Sequence, residues 1–162
     1  LYKGAAAGPD IVWSKTHQQY ISTADHYDGF WASILEASNA IFAATKRARA
    51  NFLVGGIGVD SVVRAMRNFE AADDVNAVGP HFIGTLGGLK VYVNPYLGTN
   101  DAFVGYKGDT LLDAGYIFAP YMPILTTGMV TLADDFASRE GWATLCGKKM
   151  INPNLYCRIH IV

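Results

Sequence analysis

The sequence is short of charge. Of its 162 residues, 17% are Asp, Glu, Lys or Arg, against about 25% in an average soluble domain. Thirteen basic residues against 14 acidic ones leave a formal net charge of -1. No basic excess exists to hold a polyanion or an anionic bilayer by charge alone. The one basic cluster, Lys46, Arg47 and Arg49, falls at the end of a predicted helix, where cations favour the helix dipole. Cysteine is also scarce. Cys146 and Cys157 build neither a zinc site nor a disulfide framework, and both are expected to be buried free thiols in a cytosolic setting. No Asn-x-Ser/Thr acceptor occurs. His17, His26, His81 and His160 are scattered, and no two of them enclose a glutamate at helical spacing, so the metalloprotease signature is missing. No Gly-x-Ser-x-Gly elbow supports a serine hydrolase. The opening run from Leu1 to Pro9 lacks the charged head and long apolar stretch of a signal peptide. With Leu1 where a start methionine would stand, the chain is expected to be a processed product, a fragment or a partial subunit.

What is abundant is apolar surface. The hydrophobic fraction is 51% before any of the 17 glycines is counted. A chain this small cannot easily hide that much, which leaves two outlets: a membrane, or obligate assembly through interfaces that resemble a core cut in half. The stretch from Ala114 to Ala133 carries no charge and is long enough to span a bilayer. Pro120, Pro123, Gly115, Gly128 and three threonines interrupt it. Two prolines three apart break helical hydrogen bonding, and an open extended chain cannot cross lipid. The stretch is therefore predicted to form two strands, buried or facing an interface.

Apolar residues at Tyr27, Phe30, Trp31, Ile34, Leu35, Ile41 and Phe42 form one stripe at helical spacing, predicting a helix from about Tyr27 to Ala48. Asp25 or Asp28 is its expected cap, and Trp31 and Phe42 are expected on its core face. Asn51–Val54 reads as a buried strand and Gly55–Gly58 as a turn. A second helix follows from about Asp60, as N-cap, to Phe69, with Val62, Val63, Met66 and Phe69 on one side. Glu70 to Pro80 reads as a loop. His81–Leu86 and Leu89–Asn94 flank Gly87-Gly88, a strong hairpin signal. Asp101–Lys107, Tyr116–Ala119, Gly128–Leu132, Gly141–Lys149 and Leu155–Val162 are further extended runs, the last two separated by the turn Asn152-Pro153-Asn154. Two helices and seven or eight strands make the fold class α+β.

Few motifs carry chemistry. Gly56-x-Gly58, after a strand and before a helix, has the start of a dinucleotide fingerprint, and it supports the alternative of a nucleotide- or cofactor-binding enzyme domain. Ser61 stands where the third glycine belongs, and a simple helix–strand turn explains the pair better. Gly84 to Lys90 has the glycines of a phosphate loop without its Gly-Lys-Ser/Thr ending. Asp25, His26 and Asp28 could hold a metal, but helix capping is the commoner use. Asp134, Asp135, Arg139 and Glu140 read as a solvated turn or as intersubunit ion pairs. Tyrosine and phenylalanine crowd the β half (Tyr92, Tyr96, Phe103, Tyr106, Tyr116, Phe118 and Tyr121), and amphipathic aromatics favour interfaces. No catalytic, cofactor-binding or metal-binding residue is assigned.

The order of segments nevertheless resembles one family. The helix ending in Lys46-Arg-Ala-Arg49, then Asn51-Phe-Leu-Val54 and the Val62-Val63 helix, is similar to the axial domain of T-even-type myophage major capsid proteins. Leu86-Gly-Gly-Leu-Lys-Val-Tyr-Val93 extends the likeness. So do Val104-Gly-Tyr-Lys-Gly108, Asp113-Ala-Gly115, Ala119-Pro-Tyr121 and the ending Tyr156-Cys-Arg-Ile-His-Ile-Val162. The resemblance implies the Hong Kong-type capsid fold. Residues 27–162 would be the axial domain with returning peripheral strands, and residues 1–26 an unplaced segment, with a peripheral-domain remnant as one expectation. The chain is too short for the spine helix, extended arm and N-terminal arm as well, so it would be a partial subunit. The resemblance further implies a virion protein without enzymatic activity or cofactor, assembled in the host bacterial cytoplasm. Its partners would be copies of itself in hexamers and pentamers, other capsid or cement proteins, and packaged DNA only non-specifically, with no membrane. The loop Glu70–Gly79 would reach toward the local symmetry axis. Its own acids, Glu70, Asp73 and Asp74, would then need partner cations.

Overall fold

The computed structural model describes residues 10–15, 22–72, 78–110, 113–131, 133 and 137–162. The chain divides into two compact units, Leu1–Gly115 with Asn152–Val162, and Tyr116–Ile151.

The first unit is a seven-stranded mixed sheet with two helices. Its strands are β1 (Asp10–Trp13), β2 (Phe52–Gly55), β3 (Phe69–Ala71), β4 (His81–Leu86), β5 (Leu89–Val93), β6 (Asp101–Gly105) and, last in the chain, β9 (Tyr156–Ile161). They lie in the order β1-β9-β6-β2-β5-β4-β3. The β1–β9 and β2–β5 pairs are parallel, and the remaining pairs are antiparallel. Strand β1 brings part of the unplaced N-terminal segment into this sheet, with Trp13 in the core.

Strand alternation assigns the two faces. Leu53, Val91, Val104, Cys157 and Ile159 point inward. They meet helix α1 (Thr23–Thr45) and helix α2 (Ile57–Arg64). Helix α1 buries Phe30, Ile34, Ala37 and Ile41, a single stripe at helical spacing. Phe30, Ile34 and Ile41 each contribute on the order of 1.5–3 kcal/mol by leaving water. Trp31 is half-buried and packs at the edge of this core. Phe42, expected on the core face, is 42% exposed and lies under the Arg49 guanidinium, 5.5 Å from ring centroid. The reason is angular: Ile34, Ala37 and Ile41 already fill the stripe, and Phe42 lies one residue beyond it.

Helix ends also differ from expectation. Ser22, not Asp25 or Asp28, is the N-cap of α1, without a side-chain bond. Asp25 and Asp28 instead face Arg67, at 2.8 and 3.7 Å. The last turn of α1 holds no basic residue. It ends in Lys46 with φ 56°, whose N–H donates to the Phe42 carbonyl, while Arg47 pairs with Asp113. Helix α2 begins earlier than predicted, with Gly56 as N-cap, so Asp60 sits inside it and pairs with Arg64 at 2.8 Å. Phe69 and Glu70, read as helix end and loop start, belong to β3 and pair with β4. Most of the acidic part of that loop, Asp73 and Asp74 included, lies outside the described residues. The β4–β5 hairpin is as predicted: Gly87 (φ 54°) and Gly88 (φ 88°) form a two-residue turn with both φ positive. Asn152 accepts from the Asn154 N–H and opens a 3-10 turn, Pro153–Leu155, that leads into β9.

The second unit is a two-stranded antiparallel ribbon, β7 (Tyr116–Thr131) with β8 (Ser138–Met150). Two separate strands, buried or facing an interface, were expected within Ala114 to Ala133. One continuous strand is found, and nearly all of its side chains are exposed in this chain. Its register shifts lie between Pro120 and Met122, between Met122 and Leu125, and between Thr126 and Met129. Pro120, Pro123 and Gly128 (φ 75°) sit at these shifts. Proline lacks a ladder donor and glycine permits the positive φ, so the punctuation read as strand breaks is absorbed as bulges. Cys146, expected to be buried, is exposed on β8, whereas Cys157 is buried in the sheet.

Candidate functional site

The glycines after β2 fail as a phosphate cradle for a positive reason. The Gly58 N–H donates to the Thr99 carbonyl at 2.9 Å, and the Gly56 N–H donates to the Asp101 carbonyl at 3.0 Å. A Cβ on Gly58 would stand 2.7 Å from that Thr99 oxygen. The loop before β6 thus occupies the place a dinucleotide would need, and glycine is required for close backbone approach. Ser61 Oγ bonds back to the Gly58 carbonyl at 2.8 Å. Gly84 to Lys90 is hairpin, not phosphate loop.

The other polar candidates do not converge. His26 Nε2 lies 3.0 Å from the Ser14 carbonyl, and its ring is 5.0 Å from that of Trp13. His81 Nδ1 contacts the Gly79 carbonyl at 2.8 Å. His17, Asp134 and Asp135 lie outside the described residues. Arg139 and Glu140 are exposed on β8. Among the described residues no three His, Cys, Asp or Glu side chains form a metal-binding group. Among the described residues no helix is long and apolar enough to cross a membrane.

One cluster was missed. Asp101 Oδ1 on β6 accepts from Arg158 Nη2 at 2.9 Å and lies 2.8 Å from His160 Nδ1 on β9. Burial raises the Asp101 pKa, but the hydrogen bonds and charges of Arg158 and His160 outweigh it and hold the carboxyl below its ordinary value. Arg158 and His160 are two apart on a strand and so share a face. That spacing was the available signal, but their acidic partner is far away in sequence.

The cluster belongs to the sheet face opposite the helices. There Phe52 and Val54 lie beside Lys90 and Tyr92, and Phe103 lies across from Arg158. Phe82 packs on Tyr92, and Phe52 on Tyr156, at ring-centroid distances of 5.5 and 6.3 Å. A shallow depression of about 520 Å³ opens on this face, lined in part by Phe52, Val54, Tyr92, Lys90 and Lys107. Among the described residues neither lysine ammonium forms an ion pair. In the ribbon unit, Tyr121, Ile124, Met129 and Trp142 are each at least 68% exposed. Both features are exposed surfaces rich in large apolar and aromatic side chains, of the kind that marks interaction sites.

Comparison with known proteins agrees. A solved chain from Mycobacterium phage Che8 superposes with a TM-score of 0.57 at 13% identity, over 93% of this chain and 53% of that one. The likeness shows a shared mixed α/β fold. A model described as major capsid protein Gp23 matches residues 2–156, and the chain belongs to that family. It is 34% identical over 112 residues to the major capsid protein of Serratia phage KSP90, covering 62% of this chain and 25% of the relative. It is 32% identical over 111 residues to that of Vibrio phage KVP40, covering 60% and 21%. The chain therefore spans about a quarter of the length of the curated relatives it matches.

Proposed function

We propose that this chain is part of a structural subunit of an icosahedral tailed-phage head, assembling with copies of itself into hexameric and pentameric capsomers around the genome. It performs no catalysis there. In this reading the subunit has the Hong Kong-type fold. Residues 27–162 form the axial domain and the returning peripheral strands, which correspond to the β7–β8 ribbon. The Glu70–Gly79 loop faces the capsomer axis, and assembly takes place in the host cytoplasm.

The observation that carries the reading is the ribbon. Two strands alone are marginally stable in water, and this pair leaves Tyr121, Ile124, Met129 and Trp142 uncovered. A subunit that spends its working life against neighbours has a reason to keep such surface. The filled turn at Gly56 and Gly58 weighs against the cofactor-binding alternative. The test is light scattering with negative-stain microscopy on the full-length subunit. Capsomers or closed shells are the expected species, and a stable monomer at every concentration would overturn the proposal.

A further inference from the structure

The open sheet face and the ribbon are complementary in chemistry. The depression has aromatic walls, Phe52 and Tyr92, and is lined by Lys90 and Lys107, neither in an ion pair among the described residues, together with one acid, Asp109. Toward the end of the ribbon where its strands are joined, Met129 pairs with Glu140, and Trp142 follows on β8. Met129 and Trp142 are 74% and 68% exposed, and Glu140 is exposed and forms no ion pair among the described residues. Apolar side chains beside an acid on one surface match aromatics beside two cations and one acid, a net positive charge, on the other.

We infer that the Met129–Glu140–Trp142 patch of one copy docks on the Phe52–Tyr92 depression of a second copy, with Glu140 set against Lys90 and Lys107. This rests on the shell-subunit reading and specifies one of its contacts. Different patches meet, so the contact is heterologous. Repeated around an axis, such contacts close a ring.

The test uses the full-length subunit, with wild type as the reference for assembly. Reversing the cations (Lys90→Glu with Lys107→Glu) or the acid (Glu140→Lys) should each raise the concentration needed for capsomers by about tenfold or more. Thermal melts of the dispersed subunits show whether each variant still folds. Mixing the two reversed proteins sets opposite charges together wherever the two alternate, and carrying all three changes on one chain does so at every contact. Recovery of assembly in that triple variant is the expected result. Wild-type assembly with folded reversal variants that assemble equally well overturns the contact and leaves the shell reading standing. Loss without recovery in the triple variant overturns it too. In a Cys146→Ser background, Tyr92→Cys with Trp142→Cys should give a disulfide between copies on oxidation. A bond only within one chain, or none, would also reject the contact. A wild-type subunit that stays monomeric fails the broader reading instead.

Discussion

At the residue scale, burial separates side chains that hydropathy treats alike. Ile34 is fully buried on α1, and Ile34→Ala should cost about 2–5 kcal/mol in urea unfolding. Phe42→Ala removes a ring that is 42% exposed and should cost well under that, on the order of 1 kcal/mol. Both residues belonged to the same predicted stripe, and only the position of the sheet decides between them. Asp101 gives a pH dependence. Its folded pKa lies below the ordinary 3.8, so its stabilising contribution is present above that value and is lost as pH falls through the folded pKa. Asp101→Asn should flatten the acid limb of the stability profile in that window, leaving the region above about pH 5 nearly parallel to wild type. Gly58→Ala forces a methyl against the Thr99 carbonyl at 2.7 Å, and thermal unfolding should register a loss of about 1–3 kcal/mol.

At the element scale, legibility followed how local the deciding interaction is. Helix α1, the Gly87-Gly88 hairpin and the turn at Asn152 were readable because neighbouring residues determine them. Strand β3 was not, because Phe69–Ala71 becomes a strand only by pairing with β4. The start of α2 was misplaced because a backbone carbonyl from the loop before β6, rather than the Asp60 side chain, satisfies the Gly58 N–H. The ribbon was misread because prolines and a glycine normally end strands, whereas here they fall at register shifts. This bulged ladder, with little apolar cover, should open more easily than the central strands. Amide exchange is expected to be markedly faster along β7 and β8 than along β2 and β6. Equal protection in the isolated subunit would show that the ribbon is already covered.

At the scale of the whole molecule, the sequence's apolar surplus pointed toward assembly, and the family likeness is to major capsid proteins. The candidate interaction surfaces were only half legible. Aromatic enrichment announced them, but not that Phe52, Tyr92 and Lys90 share one face. The sheet order has a further consequence for how the protein is made. Strand β9 is inserted between β1 and β6, so the first unit lacks the strand that joins edge strand β1 to the rest of the sheet until the entire ribbon has left the ribosome. During that interval β6 offers a bare edge to any passing extended chain, which makes slow translation through residues 106–155 a period of vulnerability to mispairing.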